Sequence, residues 1–416
     1  MTTSVEVEGL LRELAPQVLA ALVRRYGDFG NAEDAVQEAL LAAALRWADE
    51  GVPAQPRGWL IAVAARRLID WRRRESARRG KEAAAVDHLP VTSTPGVDED
   101  RPPDRDDSLA LLFLCCHPAL SRAAQVALTL RAVGGLTTSE IAAGYLLPEA
   151  TIAQRVARAK QRIRATGIRF GMPDREHFPD RLSAVLQVLY LIFNEGYTAS
   201  SGARLRRAEL TGEAIRLARQ LHRMLPDEGE VTGLLALMLL TEARRDARTR
   251  DGALVPLLEQ DRTRWDRTLA GEGIALVTGA LRTTPVGPYQ VQAAIVAVHV
   301  EAVRAEDTDW PQILALYRLL EALAPGPVVT MNRAVATAMV HGPSAGLAVL
   351  DSVAGEPRLA VGHRLDAVRA HLLEMSGRHA EAQELYQRAA RRTTSLPERE
   401  YLRSRAAAQT ETDLSM

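Results

Sequence analysis

Apolar positions recur along most of this chain at the spacing of a helix, and the clearest case lies between Gly135 and Arg164. Thr137 followed three residues later by Glu140 has the form of a capping box, so a helix is expected to start there and run through SEIAAGYL. Pro148, favoured in a first helical turn, opens a second helix. Ile152, Val156, Ala159 and Ile163 then fall at i, i+4, i+7 and i+11, which makes one buried stripe. The other face carries Thr151, Gln154, Arg155, Arg158 and Arg162. No acid follows Glu149 until Asp174, so these arginines, with Lys160, Arg164 and Arg169, meet no opposite charge close in sequence. Two helices at a sharp turn, the second with polar side chains first and arginines further along, suit a DNA major groove.

The same periodicity organises the chain before this point. Residues 5–48 read as two helices joined at YGDFGNAED, with Asn31 as N-cap and Asp34 adding negative charge to the first turn. Val36, Leu40, Ala43 and Trp47 form the inward stripe and leave Asp34, Gln37, Glu38 and Arg46 outward. After GVPAQPRG a third helix is expected from Trp59 to about Arg79, buried through Leu60, Ala64, Leu68 and Trp71. From Arg57 to Lys81 nine basic residues face only Asp70 and Glu75, a one-sided charge that favours a polyanion partner. Trp59 and Trp71 stand ready either to stack on bases or to fill the core. From Glu82 to Asp107 the pattern stops: eight acids, two arginines and four prolines read as a flexible acidic linker between two basic modules. Helices resume over 108–132 and are expected to pack on the helix-turn-helix.

Composition narrows the class. The 416 residues are 47% hydrophobic, dominated by Ala, Leu and Arg, with few aromatics and short β-branched runs, which predicts an all-α protein of two or three domains. Formal net charge is zero, so the local basic clusters, not the total, are what a polyanion would meet. Cys115 and Cys116 lie in the apolar run LLFLCCHPAL with only His117 nearby, and are expected to be buried small hydrophobes. No leader and no apolar run of membrane-spanning length is evident, so a cytoplasmic protein that does not enter a membrane is expected. Glu195 with Tyr197, His222 with Asp227, Asp261 with Asp266 and His363 with Asp366 resemble acid-base pairs but lie on no catalytic, phosphate-loop or metal-ligand motif. They read as caps and solvated polar groups, and neither enzymatic activity nor a cofactor is expected.

Beyond Asp180 the spacing of small and aromatic residues repeats. Ala214, Ala218, Leu221 and Pro226 share their offsets with Ile313, Tyr317, Leu320 and Pro325, and the first three recur at Ala382, Tyr386 and Ala389. These are the second-helix offsets of a tetratricopeptide repeat, with Ala370 and Gly377 fitting the last unit. The 99-residue separation of the first two copies implies further helix pairs between them; a plain helical bundle is the alternative. In NEGY at 194–197, the glycine is expected to break the apolar helix LQVLYLIF and form an interdomain corner.

Three strings in order, AEDAVQEALLAAALRW, PRGWLIAVAARRLIDWRRR and GLTTSEIAAGYLLPEATIAQRVARAKQRIR, resemble regions 2 and 4 of extracytoplasmic-function sigma factors of the sigma-70 family. LIFNEGYTASSG and the helical second half further resemble the subgroup with a tetratricopeptide-like C-terminal extension. The resemblance implies a region 2 domain at 1–81, a linker at 82–107, a region 4 domain at 108–170, a connecting helix at 171–205, a helical C-terminal domain at 206–405 and a tail at 406–416. By position it implies that Asp34, Gln37, Glu38 and Arg46 dock on the β′ clamp of core RNA polymerase, whose β flap is the other expected contact. Arg57, Trp59, Arg66, Arg67, Asp70, Arg73 and Arg74 fall in the stretch that opens the −10 element, and Thr151, Gln154, Arg155, Arg158 and Arg162 on the helix that reads −35. Arg66 stands where most of the family carries Asn, so the −10 contact at that position is its own case. The function implied is promoter recognition and initiation with core polymerase, with the C-terminal domain regulating it in cis through a protein or peptide partner. The rival is a conventional helix-turn-helix regulator with a helical sensor domain.

Overall fold

Apolar helix faces, not strand edges, hold this protein together. The computed structural model describes residues 4–82, 105–145, 147–199, 205–250, 253–356, 359 and 362–413. Apart from one antiparallel pair of two-residue strands, β1 (Thr249–Arg250) and β2 (Ala253–Leu254), every regular element among them is helical, as the composition predicts. None of these helices is long and apolar enough to cross a membrane. The chain divides into two compact units, Met1–Leu191 and Ile192–Met416.

In the first unit α1 (Ser4–Tyr26), α2 (Phe29–Glu50) and α3 (Pro56–Glu82) pack on one another. Val36, Ala43 and Trp47 of α2 and Leu60, Ala64 and Leu68 of α3 are buried on the stripes their spacing predicts. Trp71 is not: 41% of it is exposed. The reason is length. One residue further along α3, the Arg72 guanidinium already donates to the carbonyl of Tyr26, the last residue of α1, so Trp71 sits where its neighbour helix ends. The cap of α2 also differs. Asp28, not Asn31, is the N-cap, and its carboxylate accepts from the Asn31 backbone N–H. Asn31 lies within the helix because α2 begins two residues earlier, at Phe29.

The second half of this unit comprises α4 (Arg105–Cys115), α5 (Arg122–Ala132), α6 (Thr138–Tyr145) and α7 (Glu149–Thr166), followed by α8 (Phe178–Tyr197), within which the division of the chain falls. Most of the acidic stretch 82–107 lies outside the described residues; Arg105–Asp107 form the first turn of α4, three residues before the helix was expected to resume. Thr137 and Glu140 make the reciprocal capping box, Glu140 N–H to Thr137 Oγ1 at 3.1 Å and Thr137 N–H to Glu140 Oε2 at 2.7 Å. Pro148 is the N-cap of α7 and not its first helical residue. Both cysteines are fully buried, and burial pushes the thiols up, Cys116 to about 11, so neither is a thiolate near neutrality.

In the second unit, α9 (Ala208–Met224), α10 (Gly229–Glu242), α11 (Arg267–Thr283), α12 (Pro288–Glu301), α13 (Trp310–Leu323), α14 (Pro327–His341), α15 (Pro343–Asp351), α16 (Arg364–Met375), α17 (His379–Arg392) and α18 (Leu396–Asp413) pack largely on their sequence neighbours. The repeated offsets fall on α9, α13 and α17, where Ala214, Leu221, Ile313, Leu320, Ala382, Tyr386 and Ala389 are buried. α10, α11 and α12 fill the long interval between the first two copies. Gly196 does not break its helix, since α8 runs on through Tyr197. Its smallness serves a close approach instead: a Cβ there would lie 2.5 Å from the Thr211 backbone nitrogen of α9. Gly196→Ala is therefore expected to destabilise this unit by about 1–3 kcal/mol, read as a lower unfolding temperature; an unchanged one would contradict the close packing.

A second measurement bears on this unit. Glu374 of α16 accepts from Tyr386 Oη at 2.7 Å and Gln409 Nε2 at 2.6 Å and pairs with Arg405 Nη2 at 2.6 Å. Burial pushes its carboxyl up, but the Arg405, Tyr386 and Gln409 hydrogen bonds outweigh that and leave it below the ordinary glutamate value. A depressed carboxylate stabilises the fold fully above its unfolded pKa of about 4.3 and loses that contribution as pH falls through the folded value. An acid titration followed by circular dichroism should therefore show less acid sensitivity in Glu374→Gln than in the parent.

Candidate nucleic-acid and polymerase interface

The two faces of α7 are set by its stripe. With Ile152, Val156, Ala159 and Ile163 buried against the rest of the unit, Gln154, Arg158 and Arg162 project to solvent and Thr151 and Arg155 lie half-buried beside them. These five, predicted for base and phosphate contact, thus share one accessible face. Glu149 in the first turn and Arg164 in the last agree with the helix dipole.

The basic residues of α7 are not all free, however, as their sequence neighbours suggest. Lys160 pairs with Glu33 and, at 2.6 Å, with Asp34, both on α2; Arg164 reaches Asp28 at 3.4 Å. Glu33 is only 1% exposed and also accepts from Arg131 Nε of α5 at 2.9 Å. One buried carboxylate thus binds a cation from each of two helices of the helix-turn-helix half. The charge that neutralises Lys160 comes from more than a hundred residues away, which no local count of acids detects. Two smaller ties join the same halves, Arg12 to Glu140 and Arg24 to Asp107.

On α2 the predicted polymerase-facing residues are placed as expected with respect to the core. Asp34, Glu38 and Arg46 are exposed and Gln37 is half-buried. Three have partners: Asp34 holds Lys160, Glu38 holds Arg67, and Arg46 lies 3.9 Å from Glu50. The sequence reading missed Leu41 and Leu45, which are 63% and 75% exposed. They stand three and seven residues after Glu38, off the Val36–Ala43–Trp47 stripe, and that offset was a readable signal of an apolar contact surface on this face.

Along α3, Arg66, Arg67, Asp70, Arg73 and Arg74 are exposed on one run of turns. Arg57 is half-buried, and burial with the neighbouring Arg24 charge pulls its guanidinium pKa down from the ordinary value. Trp59 is half-buried and meets Trp47 edge-to-face, ring centroids 5.5 Å apart, so it is part of the core as well as of the surface. A cleft of about 880 Å³ opens between α1–α3 and the end of α7, lined by Arg24, Arg72, Arg164 and Arg169 with Trp71 and Phe170. Cations beside accessible aromatic rings are what a stacked, single-stranded polyanion needs.

Five of the residues singled out as acid-base pairs, Glu195, His222, Asp261, Asp266 and Asp366, are held by structural partners. Glu195 pairs with Arg207, and Thr232 meets His222 Nδ1 at 3.1 Å. Asp261 and Asp266 accept from backbone N–H groups as caps, and Asp366 binds Arg388 and Arg392.

Three families match distinct parts of the chain. Residues 10–78 match Sigma-70 region 2, residues 110–163 match Sigma-70, region 4, and residues 181–281 match a family of unknown function, DUF6596. An uncharacterised protein of Rhizobium meliloti is 42% identical over 414 residues, covering 97% of this chain and 96% of its own length. The probable ECF RNA polymerase sigma factor SigI of Mycobacterium tuberculosis is 33% identical over 158 residues, 37% of this chain and 53% of its own length. No solved structure matches.

Proposed function

We propose that this chain, which matches Sigma-70 region 2 and region 4 in order and shares nearly its full length with the Rhizobium meliloti protein, is a sigma factor that delivers core RNA polymerase to two-part promoters in the cytoplasm. The single observation that carries this reading is the accessible face of α7, where Thr151, Gln154, Arg155, Arg158 and Arg162 line up opposite the buried stripe. In the mechanism, the α7 face lies in the −35 major groove, with base-edge contacts for specificity and arginine-phosphate contacts for salt-dependent affinity. The exposed arginines of α3 and the Trp59 and Trp71 rings take the −10 strand as it unpairs, offsetting an unstacking cost of a few kcal/mol per base. Asp34, Gln37, Glu38 and Arg46, with Leu41 and Leu45 between them, form the face that docks on the β′ clamp.

In this conformation Asp34, assigned to the polymerase clamp, and Lys160, on the helix assigned to DNA, neutralise each other. Binding both polymerase and promoter therefore includes exchanging the α2–α7 ion pairs for contacts with those partners. The second unit, read as a tetratricopeptide-like array, regulates this step in cis, with a protein or peptide as its own partner. Supporting this is the match of the full-length relative across both halves, which indicates that the two are inherited together.

In vitro transcription with purified bacterial core polymerase on a genomic fragment library tests the proposal. Defined start sites that depend on the added protein, with shared upstream elements, are expected. Sequence-specific gel shifts by the protein alone, with no dependent start sites, would instead make it a conventional regulator. Removing residues 198–416, which leaves the whole of α8 on the first unit, should raise transcription if the second unit inhibits and lower it if the unit is required; no change would refute regulation in cis.

A further inference from the structure

The second unit contains a cavity of about 410 Å³ that none of the promoter-binding reading uses. Its wall is assembled from six segments distant in sequence: the turn at Leu257–Glu259, then α12, α13, α14, α16 and α18. The last helix closes it, since Arg405 of α18 lies 3.7 Å from Glu259 and α18 packs on β2. The volume is within the roughly 300–1,000 Å³ typical of small-molecule sites.

Its lining combines aromatic rings with a few polar groups. Trp310, Tyr317 and Tyr401 supply the rings. His299, from α12, lines the cavity while 92% buried (8% exposed), and its Nδ1 has no hydrogen-bond partner. Its ring meets Trp310 edge-on at 5.2 Å. Burial, aided by the Arg244 and Arg262 charges, pulls its pKa down to about 4, so it is neutral and retains an acceptor nitrogen. Arg405 adds a second unsatisfied group, a buried Nε–H without a partner. Buried polar atoms are nearly always paired, and these two belong to residues that line one cavity.

Charge identifies the class of ligand. The Arg405 charge is matched by Glu374 at 2.6 Å, and the remaining carboxylate, Glu259, stands toward solvent beside the same arginine. His371, also on the wall, is held toward its neutral form by burial. Among the residues that line the cavity neither an anion nor a cation finds an unopposed counter-charge, and flat aromatic walls favour a flat guest. We propose that this cavity binds an uncharged, planar heteroaromatic molecule of about bicyclic size that carries both a ring N–H and a ring acceptor nitrogen. The His299 imidazole becomes its partner after a flip of the ring, which moves its nitrogens relative to the cavity without altering the fold, and Arg405 Nε–H after a shift of the Arg405 side chain.

The test uses the full chain without polymerase or DNA, so its outcome is independent of promoter recognition. The protein is labelled with 5-fluorotryptophan, the Trp310 signal is identified with Trp310→Phe, and benzimidazole is titrated in. The Trp310 signal should shift saturably with a Kd of about 0.1–1 mM, as the contact energy of so small a probe allows, while the Trp47, Trp59 and Trp71 signals stay in place. Benzimidazole-2-carboxylate and benzamidine, its anionic and cationic counterparts, should bind at least about tenfold more weakly, since each would bury an uncompensated charge. His299→Phe, which removes the unpaired nitrogen while keeping a ring, should hold or raise the unfolding temperature and weaken benzimidazole at least about tenfold. The proposal fails if Trp310 does not respond, if a random hexapeptide mixture shifts it and benzimidazole does not, or if His299→Phe binds benzimidazole unchanged.

Discussion

Glu33→Ala is expected to open the contact between α2 and α7 and to make the free protein bind duplex DNA more tightly. Glu33 is 1% exposed, and its two cationic partners, Arg131 and Lys160, are 16% and 14% exposed. Removing one member of such a buried cluster leaves cations with little water to replace the lost carboxylate, a penalty of about 3–5 kcal/mol. The cheapest relief is separation of the surfaces, which returns Lys160 to solvent on the helix proposed to read DNA. Each additional phosphate neutralised steepens the dependence of log affinity on log salt by about 0.9. Anisotropy titrations on a non-specific duplex should therefore show a slope steeper by about one, with faster amide exchange in α7. Glu33→Gln, which keeps shape and loses charge, should act in the same direction. An unchanged slope with unchanged exchange would mean that the α2–α7 ion pairs do not restrain α7.

Arg155→Ala and Arg158→Ala are expected to reduce polymerase-dependent transcription by far more than they reduce non-specific DNA binding. Both lie on the accessible face of α7, Arg158 exposed and Arg155 half-buried. A guanidinium reading a guanine edge contributes about 1–3 kcal/mol, which corresponds to roughly five- to 150-fold in promoter occupancy. The lysine variants separate base reading from phosphate contact. Lysine keeps the charge and loses the two-pronged fork, so a base-reading position fails with lysine and a phosphate-contacting one survives. If both alanine variants transcribe as the parent does, α7 is not the promoter-reading helix.

The elements themselves were legible because each encodes its own geometry. The capping box at Thr137–Glu140 and the α7 stripe rest on contacts within a few residues and fall where expected, and the repeated offsets at Ala214, Ile313 and Ala382 land on buried helix positions. Two of the misreadings, unlike the local slips at the caps of α2 and α7, have a different cause. Trp71 has the periodicity of a core residue and is exposed because α1 ends beside it. Gly196 reads as a helix breaker and is instead a point of close contact with Thr211. In both, the deciding neighbour is far away in sequence, where periodicity has no reach.

The site divides along the same line. The sequence alone determined which helices carry cations, which face of each is polar, and the likeness of three ordered strings to sigma-70 regions 2 and 4, since helical period and local charge are properties of consecutive residues. Only the tertiary structure decided which of those cations are accessible. Lys160 looks as free as Arg158 in the sequence, yet one meets a buried carboxylate from α2 and the other meets solvent. The cavity behind His299 depends on the fold still more, since its wall is drawn from segments between Leu257 and Arg405. Burial and charge compensation are set by what packs against a side chain, and in a chain of stacked helices that is fixed only when the stack has formed.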